Sequence, residues 1–336
     1  MNSTSLTVRS KRLGWIDWMK TFGMYFIVLG HFFSFGDKYI YVFNVPLFFF
    51  ISGFLCKKET ERRVFWIKIW YNLAIPLLLL STINYTIGCL KLLADGKLEI
   101  MTFVWFVRNV LFGVNAGFGV CWFVYTLIIL KILFQLCSNR NWFYLLLPIM
   151  LCLIYVYNHN DLSNLPFFLN NPSAIVNVCT AYPFFAFGVY ANQYKDKLDA
   201  YNKKGVLAFT LMCSILFVYL SGMNNDYVLM YKCGYGGNMF WFLLGGIAGS
   251  YCIFALSKLI CVVPKSVKII SSGTILILAF HFYLIDGIRE IYKESYMDYL
   301  FAAAIIILFI PIIIIAEKHF PLIIGKYRAS VKGTGS

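Results

Sequence analysis

Three ionisable side chains, Asp17, Lys20 and His31, lie in the first strongly apolar segment of the chain, DWMKTFGMYFIVLGH. Lys20 follows Asp17 by three residues, and His31 follows Lys20 by eleven. In a helix, that spacing brings Lys20 and His31 to within about 20° of each other, about 16 Å apart along the axis. The pattern therefore predicts a polar stripe on one helix face. A neutral imidazole, with a pKa near 6.5, is suited to taking a proton from a hydroxyl group.

A second histidine, His281, lies in the apolar segment SSGTILILAFHFYLIDGIR, about 15 Å from its start in a helix. Insertion of a charged residue at the centre of a membrane helix costs about 2.5–3.5 kcal/mol. Asp17 and Lys20 are expected to reduce that cost by pairing and by reaching toward the interface. His31 is expected to face the bundle interior or a wet cavity. The alternative is a neutral histidine that only bonds to a neighbouring helix.

The composition indicates the kind of fold that holds these groups. The chain has 336 residues, of which 60% are hydrophobic and 13% charged, whereas soluble domains have about 25% charged residues. We therefore predict an all-α, polytopic membrane protein. The net charge of +14 is attributed to cytoplasmic loops rather than to nucleic-acid binding. The ten cysteines include no CxxC pair, so no metal site is predicted.

About ten apolar segments are long enough to cross a bilayer. They are 14–36, 39–56, 66–90, 117–136, 141–158, 173–192, 205–223, 237–257, 269–288 and 298–316. A shorter segment, 101–114, contains Arg108 and is predicted to be interfacial or re-entrant. Roughly three times as many lysines and arginines fall on one side of this topology as on the other. We therefore expect both termini in the cytoplasm and one integral domain over 1–332, with 333–336 a possible cloning remnant.

Five segments of the chain resemble, in order, the membrane-bound acyltransferase-3 family. They are IDWMKTFGMYFIVLGHF, FNVPLFFFISGFL, CWFVYTL, YPFFAFG and SSGTILILAFH. The first matches the family signature of a basic residue, ten residues and a histidine, here Lys20 and His31. Within the family, the chain looks most like the branch that O-acetylates fucose and other bacterial surface sugars.

The resemblance implies transfer of an acetyl group from cytoplasmic acetyl-CoA to a hydroxyl of a cell-surface or lipid-linked carbohydrate in the inner membrane. His31 is then the general base or the acetyl acceptor, with Asp17 and Lys20 beside it. Because acetyl-CoA is strongly anionic, basic residues on the cytoplasmic face are expected to bind it. These are Lys20, Lys57, Lys58 and Arg63. The residues expected to contact the carbohydrate are Asn44, Ser52, Trp122, Asn238 and His281.

Other interpretations of the same residues stay open. Membrane-depth histidines and polar residues also line transport pathways, so a transporter or flippase of a lipid-linked sugar is the main alternative. In a purely structural or receptor-like protein, the buried polar groups would only join helices. Ser52 could serve close helix packing, Trp122 could be an interfacial anchor, and Asn238 could belong to a turn.

Overall fold

A computed structural model describes residues 12–33, 36–112, 121–137, 139–160, 166 and 174–326. Throughout this part of the chain the named elements are helices. The predicted remnant at 333–336 lies outside the described residues, as do both ends of the chain and the start of predicted span 117–136. The first eight helices are α1 (Gly14–Gly30), α2 (Asp37–Tyr41), α3 (Asn44–Phe54), α4 (Arg62–Ile69), α5 (Ile75–Ala94), α6 (Ile100–Phe112), α7 (Cys121–Leu136) and α8 (Arg140–Leu145).

Eight further helices follow in the second half of the chain. They are α9 (Leu147–His159), α10 (Ala174–Asn192), α11 (Lys195–Ala200), α12 (Lys204–Asn224), α13 (Met239–Leu259), α14 (Lys265–Ser272), α15 (Thr274–Ile291) and α16 (Asp298–His319). A short 3₁₀ turn, Met230–Lys232, interrupts the connection between α12 and α13. Leu229 and Gly234 form an isolated antiparallel bridge around it.

Five of the described helices are long and apolar enough to cross a membrane. They are Arg62–Ala94, Asn141–His159, Lys204–Asn224, Met239–Leu259 and Asp298–His319. A bent pair, Lys265–Ser272 with Thr274–Ile291, makes six if it is counted as one span. The expected all-α, multi-pass membrane architecture is confirmed. The number of ten spans and the cytoplasmic location of the termini stay predictions.

Two predicted spans are broken in the structure. Segment 39–56 is divided between α2 and α3, because the backbone leaves the helical region at Phe43. Segment 269–288 begins in α14 and continues in α15 after a bend of 84°. Gly273 lies at that bend, and a Cβ there would overlap the side chain of Ile313 on α16. The glycine therefore allows the break to pack directly against α16.

A π-helical turn, Trp70–Ala74, joins α4 to α5. Pro76 has no N–H, so an α-helical turn would leave the carbonyl of Asn72 without its donor. The backbone widens there, and the N–H of Ile75 donates to the carbonyl of Trp70, five residues earlier. Such bulges often occur at functional sites. This one places Asn72 and Leu73 at the wall of the main cavity.

The interior position of α1 explains how a polar stripe can exist on it. α1 packs against α3, α13, α14, α15 and α16, so little of its surface faces outward. Next to it, α3 and α10 approach closely through Gly53 and Gly188. A Cβ on Gly53 would collide with the carbonyl of Phe185, and one on Gly188 with the carbonyl of Phe50. Small residues at such contacts let helix backbones approach each other in membranes.

Candidate active site

A cavity of about 1060 Å³ runs along α1, and both Lys20 and His31 line it. His31 follows the last residue of α1 and is its C-cap. Lys20 lies eleven residues earlier, about 16 Å away along the helix axis. The cavity therefore has two chemically different ends, a lysine end at Lys20 and a histidine end at His31.

The histidine end brings His31 and His281 together, although 250 positions separate them in the sequence. Their rings are stacked with centroids 5.0 Å apart. The Phe282 ring covers both, with its centroid 4.4 Å from that of His31 and 4.3 Å from that of His281. The Nδ1 atom of His31 lies 2.9 Å from the Tyr41 hydroxyl. Both histidines line the cavity.

The tautomer of His281 follows from its partners. Its Nδ1 atom lies 2.9 Å from the carbonyl oxygen of Ile277 and 3.0 Å from that of Leu278. Carbonyl oxygens only accept hydrogen bonds, so Nδ1 carries the proton. The Nε2 atom is then a bare acceptor, and it is buried without a hydrogen-bond partner in the described part of the chain. An unsatisfied acceptor at a cavity wall is suited to binding a substrate donor.

At the lysine end, three cations surround one section of the cavity. Lys20, Lys131 and Lys326 all line it. Lys326 is paired with Glu317. Among the described residues, Lys20 and Lys131 have no carboxylate within ion-pair distance. Two lysines that line one cavity without a carboxylate partner form a site for an anion.

Asp17 has a different partner from the one that its spacing suggests. The expected pairing with Lys20 is wrong, because Asp17 accepts hydrogen bonds from Arg12, at 2.7 and 2.8 Å, and from Ser271, at 2.7 Å. The bond to Asp17 raises the pKa of the Arg12 guanidinium above its ordinary value. The chain before α1 turns back far enough for Arg12 to reach a carboxylate in the first helical turn. Asp17 therefore joins α1 to α14 and leaves Lys20 free.

The predicted cofactor-binding residues lie in different places. Lys57 lines a second cavity of about 410 Å³, which it shares with Lys20, Arg12 and Lys326. Lys58 donates to the carbonyl of Cys137 and lies over the Phe134 ring. Arg63 is exposed at the start of α4, and neither described cavity includes it.

The predicted substrate-binding residues also lie in different places. Asn44, Ser52, Trp122 and His281 line the main cavity. Asn238 does not line it. Its side chain caps α13 by accepting the backbone N–H groups of Phe240 and Trp241, and its own N–H donates to Asn225.

Several lining residues were not predicted from the sequence. They are Tyr41, Asn72, Asn84, Lys131, Lys232 and Asp286. Lys131 had a usable signal, since it lies inside a predicted span, 117–136, and charges within spans are often functional. Asp286 had the same signal, near the end of predicted span 269–288. The other four residues had none, because their position at the cavity depends on tertiary packing.

Comparison with known proteins identifies the family of the chain. A family model described as an acyltransferase domain, of the acyltransferase-3 type, matches residues 13–317. No curated protein and no solved structure matches the chain. The matched region contains α1 to α15 and nearly all of α16, and so it includes both histidines and both unpaired lysines. The chain belongs to the acyltransferase-3 family.

Proposed function

We propose that this protein transfers an acetyl group from acetyl-CoA to a hydroxyl of a carbohydrate, within the cavity along α1. One observation carries the proposal: a single cavity joins two unpaired lysines, Lys20 and Lys131, to a pair of stacked histidines, His31 and His281. Acyl transfer from acetyl-CoA to an alcohol needs a binding site for this anionic donor and a base for the hydroxyl proton. Family membership supports the reaction class.

The donor is proposed to enter at the lysine end. The phosphate groups of acetyl-CoA would contact Lys20 and Lys131, since charge-assisted hydrogen bonds to phosphate are strong. Lys57 and Arg12 line the smaller cavity that adjoins Lys20, and they would attract the nucleotide from the cytoplasm. The wall between the two ends is largely apolar and includes Met24, Ile27 and Phe48. An extended thioester arm could lie along it toward His31.

At the histidine end, His31 is proposed to take the proton of the acceptor hydroxyl as the oxygen attacks the thioester carbon. The carbon–sulfur bond then breaks, and the imidazolium returns its proton to the departing thiolate. In the second form of this mechanism, His31 itself first takes the acetyl group and passes it to the hydroxyl. The bare Nε2 of His281 would accept a hydrogen bond from a neighbouring hydroxyl of the acceptor.

The acceptor is proposed to enter beyond the histidines. Tyr231, Lys232, Phe282, Tyr283 and Asp286 line the cavity there. Aromatic rings with a few polar groups can bury the apolar faces of a sugar while satisfying its hydroxyls. We propose a glycan of the bacterial cell surface or its lipid-linked precursor as the acceptor. The protein would lie in the inner membrane with its N-terminus in the cytoplasm, so that donor and acceptor approach from opposite ends.

One observation favours the alternative of a lipid-linked sugar transporter. α14 and α15 form a helix pair that is broken at Gly273 and bent by 84°, and broken helices are typical of transporter substrate sites. Liposomes distinguish the two functions. A transporter would exchange labelled sugar across the bilayer without acetyl-CoA, whereas the proposed enzyme would not.

The proposed function is tested by acetyl transfer with purified protein in lipid nanodiscs. Labelled acetyl-CoA is incubated with a panel of surface glycans, and the product is recognised by the mass of one added acetyl group. We expect His31→Gln to lower the rate by at least about 10²-fold, because general base catalysis contributes 10²–10⁴-fold. His319→Gln, at the end of α16, is the matched control and should retain the rate. Full activity of His31→Gln with an unchanged melting temperature would exclude this mechanism.

A further inference from the structure

The first residue of α3, Asn44, has a side-chain amide whose donors are not used within the described part of the chain. Asn44 lines the main cavity, although only 2% of its surface is exposed. Its Oδ1 atom accepts the backbone N–H of Val45 over 2.8 Å. A backbone N–H only donates, so this bond identifies the amide oxygen and leaves the two N–H groups of Nδ2. No described residue accepts from them. A buried amide in this state is suited to binding a ligand oxygen.

The Asn44 amide lies at the histidine end of the cavity. A Cβ on Gly30, the last residue of α1, would lie 3.3 Å from Nδ2 of Asn44 and 3.2 Å from the Tyr41 ring. His31 follows Gly30 directly, and its Nδ1 atom lies 2.9 Å from the Tyr41 hydroxyl. All three side chains line the cavity. The glycine therefore leaves the space in which the amide comes close to the end of α1 and to the proposed base.

The backbone at the start of α3 also favours a negative charge. The N-terminus of an α-helix carries about half a positive elementary charge, and α3 is eleven residues long. No acidic residue lies in its first turn. Val45, the second residue of the helix, lines the cavity together with Asn44. The helix end and the amide donors of Asn44 thus act on the same part of the cavity.

We propose that Nδ2 of Asn44, at the start of α3, stabilises the oxyanion that forms during acyl transfer. This inference rests on the proposed function. When the acceptor oxygen bonds to the thioester carbon, one electron pair of the C=O bond moves to the carbonyl oxygen, which becomes negative. Nδ2–H donates a hydrogen bond to that oxygen. The pair returns to re-form the carbonyl as the carbon–sulfur bond breaks, and Asn44 neither gains nor loses a proton.

The kinetic test separates this role from the carbohydrate contact that the sequence suggested for Asn44. Asn44→Asp keeps an oxygen for the N–H of Val45 but replaces the Nδ2 donor by an acceptor. Asn44→Leu is the second variant, of similar size and without a charge. Both should lower kcat by about 10²–10³-fold, the usual effect of losing one oxyanion donor. KM for acetyl-CoA and for the carbohydrate should stay the same, because the oxyanion does not exist in the ground state.

The matched control is the same substitution at an asparagine far from the cavity. Asn224 is exposed at the end of α12, and its Nδ2 donates to the carbonyl of Leu220 over 2.8 Å. Asn224→Asp should leave kcat unchanged. The melting temperature is measured for every variant, so that a loss of folded protein is not counted as a loss of rate.

A spectroscopic test needs no carbohydrate. Acetyl-CoA labelled with ¹³C at the acetyl carbonyl is bound to the full chain in lipid nanodiscs, and the carbonyl stretch is measured by isotope-edited infrared difference spectroscopy. A hydrogen bond from Nδ2 polarises the carbonyl, so its frequency should fall below that of free acetyl-CoA. Asn44→Leu should lose most of that shift, whereas Asn224→Asp should keep it.

Three results would overturn the inference. They are an unchanged kcat in Asn44→Leu, a raised KM for the carbohydrate at an unchanged kcat, and an equal carbonyl shift in Asn44→Leu and the unmodified protein. In each case, acetyl transfer by the unmodified protein would still support the proposed function. If the carbonyl shift depends on Asn44 but no glycan is acetylated, the oxyanion site stands and the proposed acceptor is wrong. If acetyl-CoA does not bind, both proposals fail.

Discussion

The ionisable groups in and around α1 fall into two sets with different partners. At each end of the helix, an arginine holds a buried carboxylate. Arg12 binds Asp17 at the start, and Arg289 binds Asp298 while also donating to the carbonyl of Phe32 at the end. Between these two clamps, Lys20 and His31 face the cavity. Each clamp carboxylate is paired with an arginine, whereas the cavity residues leave room for a ligand.

This difference separates structural charges from functional ones. A buried charge without a partner is costly. An ionisable residue of this kind inside a membrane protein therefore often marks a site where a ligand binds. The clamps fix α1 against α14 at one end and against α15 and α16 at the other. They therefore help to set the position of Lys20 and His31 in the fold. Substitutions in each set test this distinction.

The largest effect on stability is expected at Asp298. Its carboxylate is completely buried and lies 2.7 Å from Arg289. Asp298→Ala leaves the partly exposed guanidinium without its charge partner, and removing one partner of a buried ion pair costs up to about 3–5 kcal/mol. Thermal unfolding in detergent should show a lower melting temperature. KM for the proposed donor, acetyl-CoA, measured below that temperature, should not change.

The exposed pair of Lys68 and Glu59 is the control for this experiment. Glu59→Gln should cost at most about 1 kcal/mol, because surface ion pairs contribute little. Equal losses for Asp298→Ala and Glu59→Gln would show that the pair at the end of α1 is not a clamp.

An intermediate effect, on binding rather than stability, is expected at Lys20. Lys20→Gln removes a charge-assisted hydrogen bond to the proposed phosphate, which is worth about 1.5–3 kcal/mol. KM for acetyl-CoA should rise by about 10- to 100-fold. The melting temperature should stay the same or rise, since an unpaired charge has been removed. Lys58→Gln is the matched control, because Lys58 contacts the carbonyl of Cys137 away from both cavities. A large loss of stability in Lys20→Gln would show that Lys20 has a structural role, as the clamp residues do.

The smallest effect is expected at Asn238, which the sequence suggested as a carbohydrate contact. Because its side chain caps α13, Asn238→Ala should cost about 1 kcal/mol of stability. Asn238→Ser keeps a capping oxygen and should recover most of that loss. Acetyl transfer kinetics of both variants should match those of the unmodified protein. A raised KM for the carbohydrate in Asn238→Ser would show that Asn238 takes part in substrate binding.

The features that the sequence predicted well are those that depend on local periodicity. The all-helical membrane architecture follows from composition, and a spacing of eleven residues is enough to place Lys20 and His31 along one cavity. The clamps were harder to predict. Arg12 lies before the first helical residue, and its contact with Asp17 depends on how the chain enters α1. The break at Gly273 depends on packing against Ile313 of α16, which a local pattern does not contain.

The rest of the site depends on contacts between distant segments. Asn72 and Asn84 reach the main cavity through the packing of the π-helical turn beside α7 and of α5 beside α15, and an asparagine is not unusual at either position in the sequence. Asn238 shows the opposite case, since an asparagine directly before an apolar helix is a capping signal. Its role could have been predicted from that pattern alone.

The most direct test of the central claim is a cryo-electron microscopy structure of the full chain in a nanodisc with coenzyme A. The account predicts that the phosphate groups contact Lys20 and Lys131, and that the thiol lies in the main cavity beside Nε2 of His31. Coenzyme A bound outside this cavity, or with its thiol directed away from both histidines, would contradict it.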